Sequence, residues 1–113
     1  MAHPVVHFEI GCRVRESTSA FYRSLFDWEI DAAAQIPAFW GGLTGHLTSL
    51  GHEPHNYTIF YVQVDDISAA IARAVELGGK HVVGPIPIPT GAFAWIQDPA
   101  GNTVGLFKPA AVS

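Results

Sequence analysis

The stretch Thr58-Ile59-Phe60-Tyr61-Val62-Gln63-Val64-Asp65-Asp66-Ile67-Ser68-Ala69-Ala70-Ile71-Ala72-Arg73-Ala74-Val75-Glu76-Leu77-Gly78-Gly79 switches from one hydrophobic period to another. Thr58, Phe60, Val62 and Val64 alternate with Ile59, Tyr61 and Gln63, which is the two-residue period of a strand. From Ile67 the apolar positions Ile67, Ala70, Ile71, Ala74 and Leu77 fall on one face of a helix. Asp65 or Asp66 is placed to cap its start, and Gly78-Gly79 to end it. Lys80 to Val83 then reads as a second strand. Pro85, Pro87 and Pro89 hold an extended segment that cannot be a central strand, because proline donates no ladder hydrogen bond. Residues 92–97 and 102–107 read as a hairpin around Asp98-Pro99-Ala100-Gly101.

The same order appears 52 residues earlier. Val6, Phe8 and Ile10 alternate with Val5, His7 and Glu9. Residues 15–26 carry Phe21/Leu25 and Tyr22/Phe26 four apart, as on a helix face, with Ser17 or Thr18 as the expected cap. Trp28-Glu29-Ile30 is expected to open a strand, and residues 36–40 and 46–50 to form two short ones divided by Gly41-Gly42 and Gly45. The shift of 52 sets Phe8 on Phe60, Ile10 on Val62, Ala20 on Ala72, Leu25 on Leu77 and Ile30 on Val82. The shared order is that of one supersecondary unit used twice, with a turn-rich connector at residues 51–56.

Composition limits the partners. Apolar residues make up 49% of the 113 and charged residues 14%, which excludes disorder. The net charge of −4 and the lack of a basic stripe argue against nucleic acid, and no apolar run is long enough to span a membrane. The N-terminus lacks the basic and apolar regions of a signal peptide. Cys12, the single cysteine, cannot form an internal disulfide, which suits a reducing cytoplasm and an inert buried thiol.

His7-Phe8-Glu9-Ile10, Phe21-Tyr22 and Leu25-Phe26-Asp27-Trp28 resemble the first module of vicinal-oxygen-chelate proteins, the glyoxalase/bleomycin-resistance/dioxygenase superfamily. Residues 61–67, Leu77-Gly78-Gly79-Lys80, Asp98-Pro99-Ala100-Gly101-Asn102 and Val104-Gly105-Leu106-Phe107 resemble the second. The resemblance implies an α+β fold of two βαβββ modules, about 4–51 and about 56–109. It implies a curved, U-shaped mixed sheet with helices packed outside, a small-molecule ligand on its concave face, and a homodimer. The superfamily spans lyases, isomerases, dioxygenases and metal-free binding proteins, so fold alone does not choose the chemistry.

Metal-using members of this superfamily take ligands from the first and last strands of each module. His7 holds the first of those positions and His46 is the candidate on the last strand of module one. The matching positions in module two fall on Ile59 and Gly105, which cannot bind metal. A working site needs at least three converging side chains. No cofactor is therefore expected, although His7 and His46 leave room for a divalent metal. Glu9 lies about 7 Å along the strand from His7, too far to share one ion without a bend.

Glu9 and His7 are the candidate catalytic pair, Glu9 as general base or anchor for a ligand amine and His7 as its partner. The competing reading is a structural polar pair satisfied within the fold. Trp28, Trp40, Tyr61 and Trp95 are the candidate ligand-binding walls, against core and dimer packing as the plainer role. His52 and His55 read as loop residues. The expected function is small-molecule binding without a complete metal site, with a lyase, isomerase or dioxygenase acting through His7 and Glu9 as the alternative.

Overall fold

The computed structural model describes residues 2–36, 43–49 and 56–111. The chain falls into two compact units, Val6–Ile59 and Met1–Val5 with Phe60–Ser113.

The first unit carries β1 (Val5–Gly11) from its second residue, α1 (Arg15–Phe26), β2 (Gln35–Ile36) and β3 (Thr44–Thr48). β1 runs parallel to β3 and β3 antiparallel to β2. α1 spans the expected residues, but neither Ser17 nor Thr18 caps it. Val14 takes the N-cap position and supplies no side-chain hydrogen bond. Residues 28–30 are not a strand. Arg23 reaches across instead, its Nε and Nη2 donating to the Ile30 carbonyl at 3.1 and 2.8 Å, which holds this segment as a return from the helix. The strand expected over 36–40 is seen at Gln35–Ile36, and residues 37–42 lie outside the described ones.

The pleat sorts β1 as the alternation requires. Phe8 and Ile10 turn to a core made with Cys12, Ile30, Ala34, Ile36 and Leu47, against which Tyr22 and Trp28 pack. His7 and Glu9 turn to the other face. Cys12 is a buried free thiol within this core.

The second unit takes up β4 (Tyr57–Gln63) from Phe60 and continues with α2 (Ile67–Glu76), β5 (Lys80–Ile88), β6 (Gly91–Gln97) and β7 (Thr103–Pro109). Asp66 is the cap of α2, its carboxylate accepting from the Ala69 N–H at 3.0 Å. Gly78 ends the helix at φ +98, a conformation that costs any residue with a Cβ. Asp98 closes the β6–β7 turn, accepting from the N–H groups of Ala100 and Asn102. Val64, Ile67, Ala94 and Leu106 form the buried core here, flanked by Val62, Ala70 and Ile71.

One expectation about the sheet is overturned. Among the described residues its strand order is β2-β3-β1-β4-β7-β6-β5, open at β2 and β5, and it is neither closed nor strongly curled into a U. The β5 edge has little with which to close. β5 carries Pro85 and Pro87, which lack the N–H a further ladder would need, and β2 has two described residues. The proline segment is thus an edge strand, as its residues demand.

Candidate functional site

Parallel pairing of β1 with β3 decides which side chains meet in the first unit. The register sets His7 beside Thr44 and Glu9 beside His46, and the two-residue period turns all four to the face away from Phe8, Ile10 and Leu47. The His7 Nδ1 lies 2.7 Å from the Thr44 hydroxyl, and its Nε2 lies 2.6 Å from Nδ1 of His46. The His46 Nε2 is 3.5 Å from Oε1 of Glu9. The Tyr57 hydroxyl donates a short hydrogen bond to Oε2 of Glu9.

These contacts form a self-consistent set of protons when Glu9 is a carboxylate. Each neutral imidazole has one donor and one acceptor nitrogen. If His46 turns Nε2–H toward the carboxylate, its Nδ1 must accept from His7 Nε2–H, and His7 Nδ1 must accept from the Thr44 hydroxyl. Donors then run in one direction from Thr44 through His7 and His46 to Glu9, and Tyr57 donates to Glu9 from the other side.

The electrostatics favour those neutral rings. Burial, and after it the neighbouring His46, depress the His7 pKa to about 4, with Glu9 opposing. Burial lowers that of His46 as well, again against the pull of Glu9. The Tyr57 phenol is pushed up, first by burial and then by its hydrogen bond to Glu9, so it stays a donor. The His46–Glu9 contact is accordingly a neutral N–H facing a carboxylate rather than an ion pair. Glu9 itself is 7% exposed.

The arrangement does not fit a complete metal centre. Two nitrogens on one tetrahedral ion at bond lengths of 2.0–2.1 Å would stand roughly 3.3 Å apart. Nε2 of His7 and Nδ1 of His46 are closer than that, at hydrogen-bond distance, while their other nitrogens face Thr44 and Glu9. Among the described residues no group of three or more His, Cys, Asp or Glu side chains is placed to hold a metal ion.

In the second unit, parallel pairing of β4 with β7 places Tyr61 beside Gly105. A Cβ at Gly105 would strike the Tyr61 ring, so the missing ligand at this position is also the space that the ring occupies. The Trp95 indole N–H donates to the Tyr61 hydroxyl at 2.8 Å, and Phe93 meets Tyr61 edge to face at 6.2 Å. Tyr61 and Trp95 are thus neighbours, both buried. Trp28 lies on the α1 side of its unit, stacked on Tyr22 at 5.1 Å and close to Phe26 and Phe8. Trp40, His52 and His55 lie outside the described residues.

Reading the residues alone missed Thr44 and the hydrogen bond from Tyr57. Thr44 had a usable signal, because it lies two residues before His46 on one strand and so shares its face. Tyr57 had none, since its reach to Glu9 depends on a contact between residues 48 apart.

No curated protein matches the chain. Solved structures that share its fold include a hypothetical protein of Bacillus halodurans C-125, with a TM-score of 0.70 at 12% identity over 100% of this chain and 99% of that one. A glyoxalase/bleomycin resistance protein/dioxygenase superfamily member of Vibrio splendidus 12B01 gives 0.62 at 15% identity, over 96% and 100%. Methylmalonyl-CoA epimerase from Mycobacterium tuberculosis gives 0.64 at 13%, over 95% and 88%. At such identities the likeness concerns fold alone. A family model described as a glyoxalase-like domain matches residues 6–107. The chain therefore belongs to the glyoxalase-like domain family, within the glyoxalase/bleomycin-resistance/dioxygenase superfamily.

Proposed function

We propose that this protein binds a small hydrogen-bonding molecule on the polar face of β1 and β3, without a complete metal centre, as a cytoplasmic homodimer. The observation that carries this reading is the chain of contacts from Thr44 through His7 and His46 to a buried Glu9. A carboxylate and two imidazoles on a sheet face contribute less to stability than apolar residues of the same volume would. His7 and His46 are only partly buried, so a ligand can reach their rings. Neutral rings suit an uncharged, oxygen-bearing or aromatic ligand better than an anion. The test is a ligand-observed NMR screen of chelator-treated protein against small oxygenated and aromatic compounds. Hits should lose about tenfold or more in affinity in Glu9→Gln and His7→Ala, the size expected of a hydrogen bond to a charged group. Tight stoichiometric metal binding with no organic hit would overturn the reading.

One observation favours a second reading, that of a lyase, isomerase or dioxygenase acting through His7 and Glu9. A proton accepted at Nδ1 of His7 would release Nε2–H to His46, and His46 would pass its own Nε2–H to Glu9, which serves as the base. The last link, at 3.5 Å, must shorten by about 0.5 Å to carry a proton. Glu9→Gln and His7→Ala should then abolish turnover of a bound compound with the fold intact. Undiminished turnover in both would remove this alternative.

A further inference from the structure

A cavity of about 460 Å³ opens at the start of α1, lined by Arg13, Arg15, Glu16, Ser19, Arg23 and Asp31 among others and not by the imidazole pair. α1 begins without a side-chain cap, and its first backbone bond runs from Thr18 N–H to the Val14 carbonyl. The N–H groups of Arg15, Glu16 and Ser17 therefore have no partner within the helix. Ser19, one turn further on, is 3% exposed, and its hydroxyl has no hydrogen-bond partner among the described residues. A buried hydroxyl left unpaired is costly, and Ser19 is one of the residues that line the cavity.

The charges around the cavity are unevenly committed. Arg23 is spent on the Ile30 and Asp31 carbonyls. The Asp31 carboxylate accepts from the N–H groups of Ala33 and Gln35 at 2.9 and 3.0 Å. Arg13 and Arg15 are exposed and meet no carboxylate among the described residues. Glu16, in the first turn, and Asp31 are the carboxylates that oppose an incoming anion, Glu16 the one without backbone N–H partners. Three guanidiniums against two carboxylates leave one net positive charge, beside an uncapped helix N-terminus whose dipole adds to it.

We infer that this cavity binds the phosphate group of a small phosphorylated molecule, with the first-turn N–H groups, Ser19 and the guanidiniums of Arg13 and Arg15 as its donors. Helix N-termini and arginine forks both suit a tetrahedral oxyanion. The volume exceeds that of a bare phosphate and lies in the range of small-molecule pockets, which favours a monoester.

The test follows backbone amide resonances of the full-length protein during titration with inorganic phosphate, glycerol 3-phosphate and glycerol. The expected result is saturable shifts at Arg15, Glu16 and Ser17 with both phosphates, tighter for the monoester, and none with glycerol. Arg15→Ala and Ser19→Ala should each weaken binding by about tenfold or more, the size of a charge-assisted bond. Ser19→Ala should do so without lowering the melting temperature of the ligand-free protein, since its hydroxyl has no partner to lose. Glu16→Gln should tighten binding. Linear, non-saturating shifts, equal shifts with glycerol, or affinities indifferent to Arg15 and Glu16 would each overturn the inference.

Discussion

At the scale of single residues, the polar face of β1 and β3 depends on protonation. Both imidazoles are held below their ordinary pKa, His7 at about 4, whereas an unfolded chain titrates them near 6.5. The unfolded state then binds more protons as pH falls through that window. Stability from the neutral rings is complete above pH 6.5 and declines as pH falls toward 4. Urea denaturation across this range should show the decline, and a His7→Gln/His46→Gln double variant should show a flatter profile, whatever its absolute stability. Tyr57 gives a second prediction. Tyr57→Phe removes the donor to a carboxylate that is 7% exposed, and should destabilise by about 1–3 kcal/mol in the same assay. His7 and Glu9 were legible in the sequence as a pair on one strand face. The rest of what they touch was not: Thr44 meets His7 through strand register, and Tyr57 meets Glu9 across 48 residues, which no local pattern encodes.

Elements explain why the two units, built on one plan, carry different chemistry. In the first, Glu9 stands beside His46 across the parallel pair. In the second, the corresponding pair is Tyr61 beside Gly105. Gly105→Ala should force the Tyr61 ring to move and cost about 1–3 kcal/mol, the usual penalty of overpacking. Combined with Tyr61→Ala, that extra cost should disappear, which a double-mutant cycle by denaturant melts can measure. Helices and the final hairpin were readable from period, cap and turn residues: Asp66, Gly78 and Asp98 do what their chemistry suggests. The strand expected over 28–30 failed because Arg23 captures the Ile30 carbonyl, a contact across seven residues that alternation cannot anticipate. The cap of α1 failed because Val14, with no polar side chain, takes the position that Ser17 and Thr18 suggested.

For the whole molecule, the 52-residue shift relates two buried clusters among the described residues. Ile10 and Cys12 lie in the first, Val62 and Val64 in or against the second, each pair separated by that shift. Leu47, 1% exposed in the first core, should cost about 2–5 kcal/mol as Leu47→Ala in a thermal or urea melt. The open strand order was not legible, since alternation shows that strands exist and not how far a sheet bends. No helix among the described residues is long and apolar enough to cross a membrane.

The central claim is that His7 and His46 are neutral and hydrogen-bonded to each other, in an arrangement that does not make a complete metal centre. Long-range nitrogen–proton NMR of the imidazole rings at pH 7, before and after equimolar zinc, tests it most directly. The account predicts that both rings carry their proton on Nε2, with Nδ1 unprotonated, and that zinc leaves these signals in place. A ring protonated on both nitrogens at pH 7, or zinc-shifted resonances from His7 and His46 together, would contradict it.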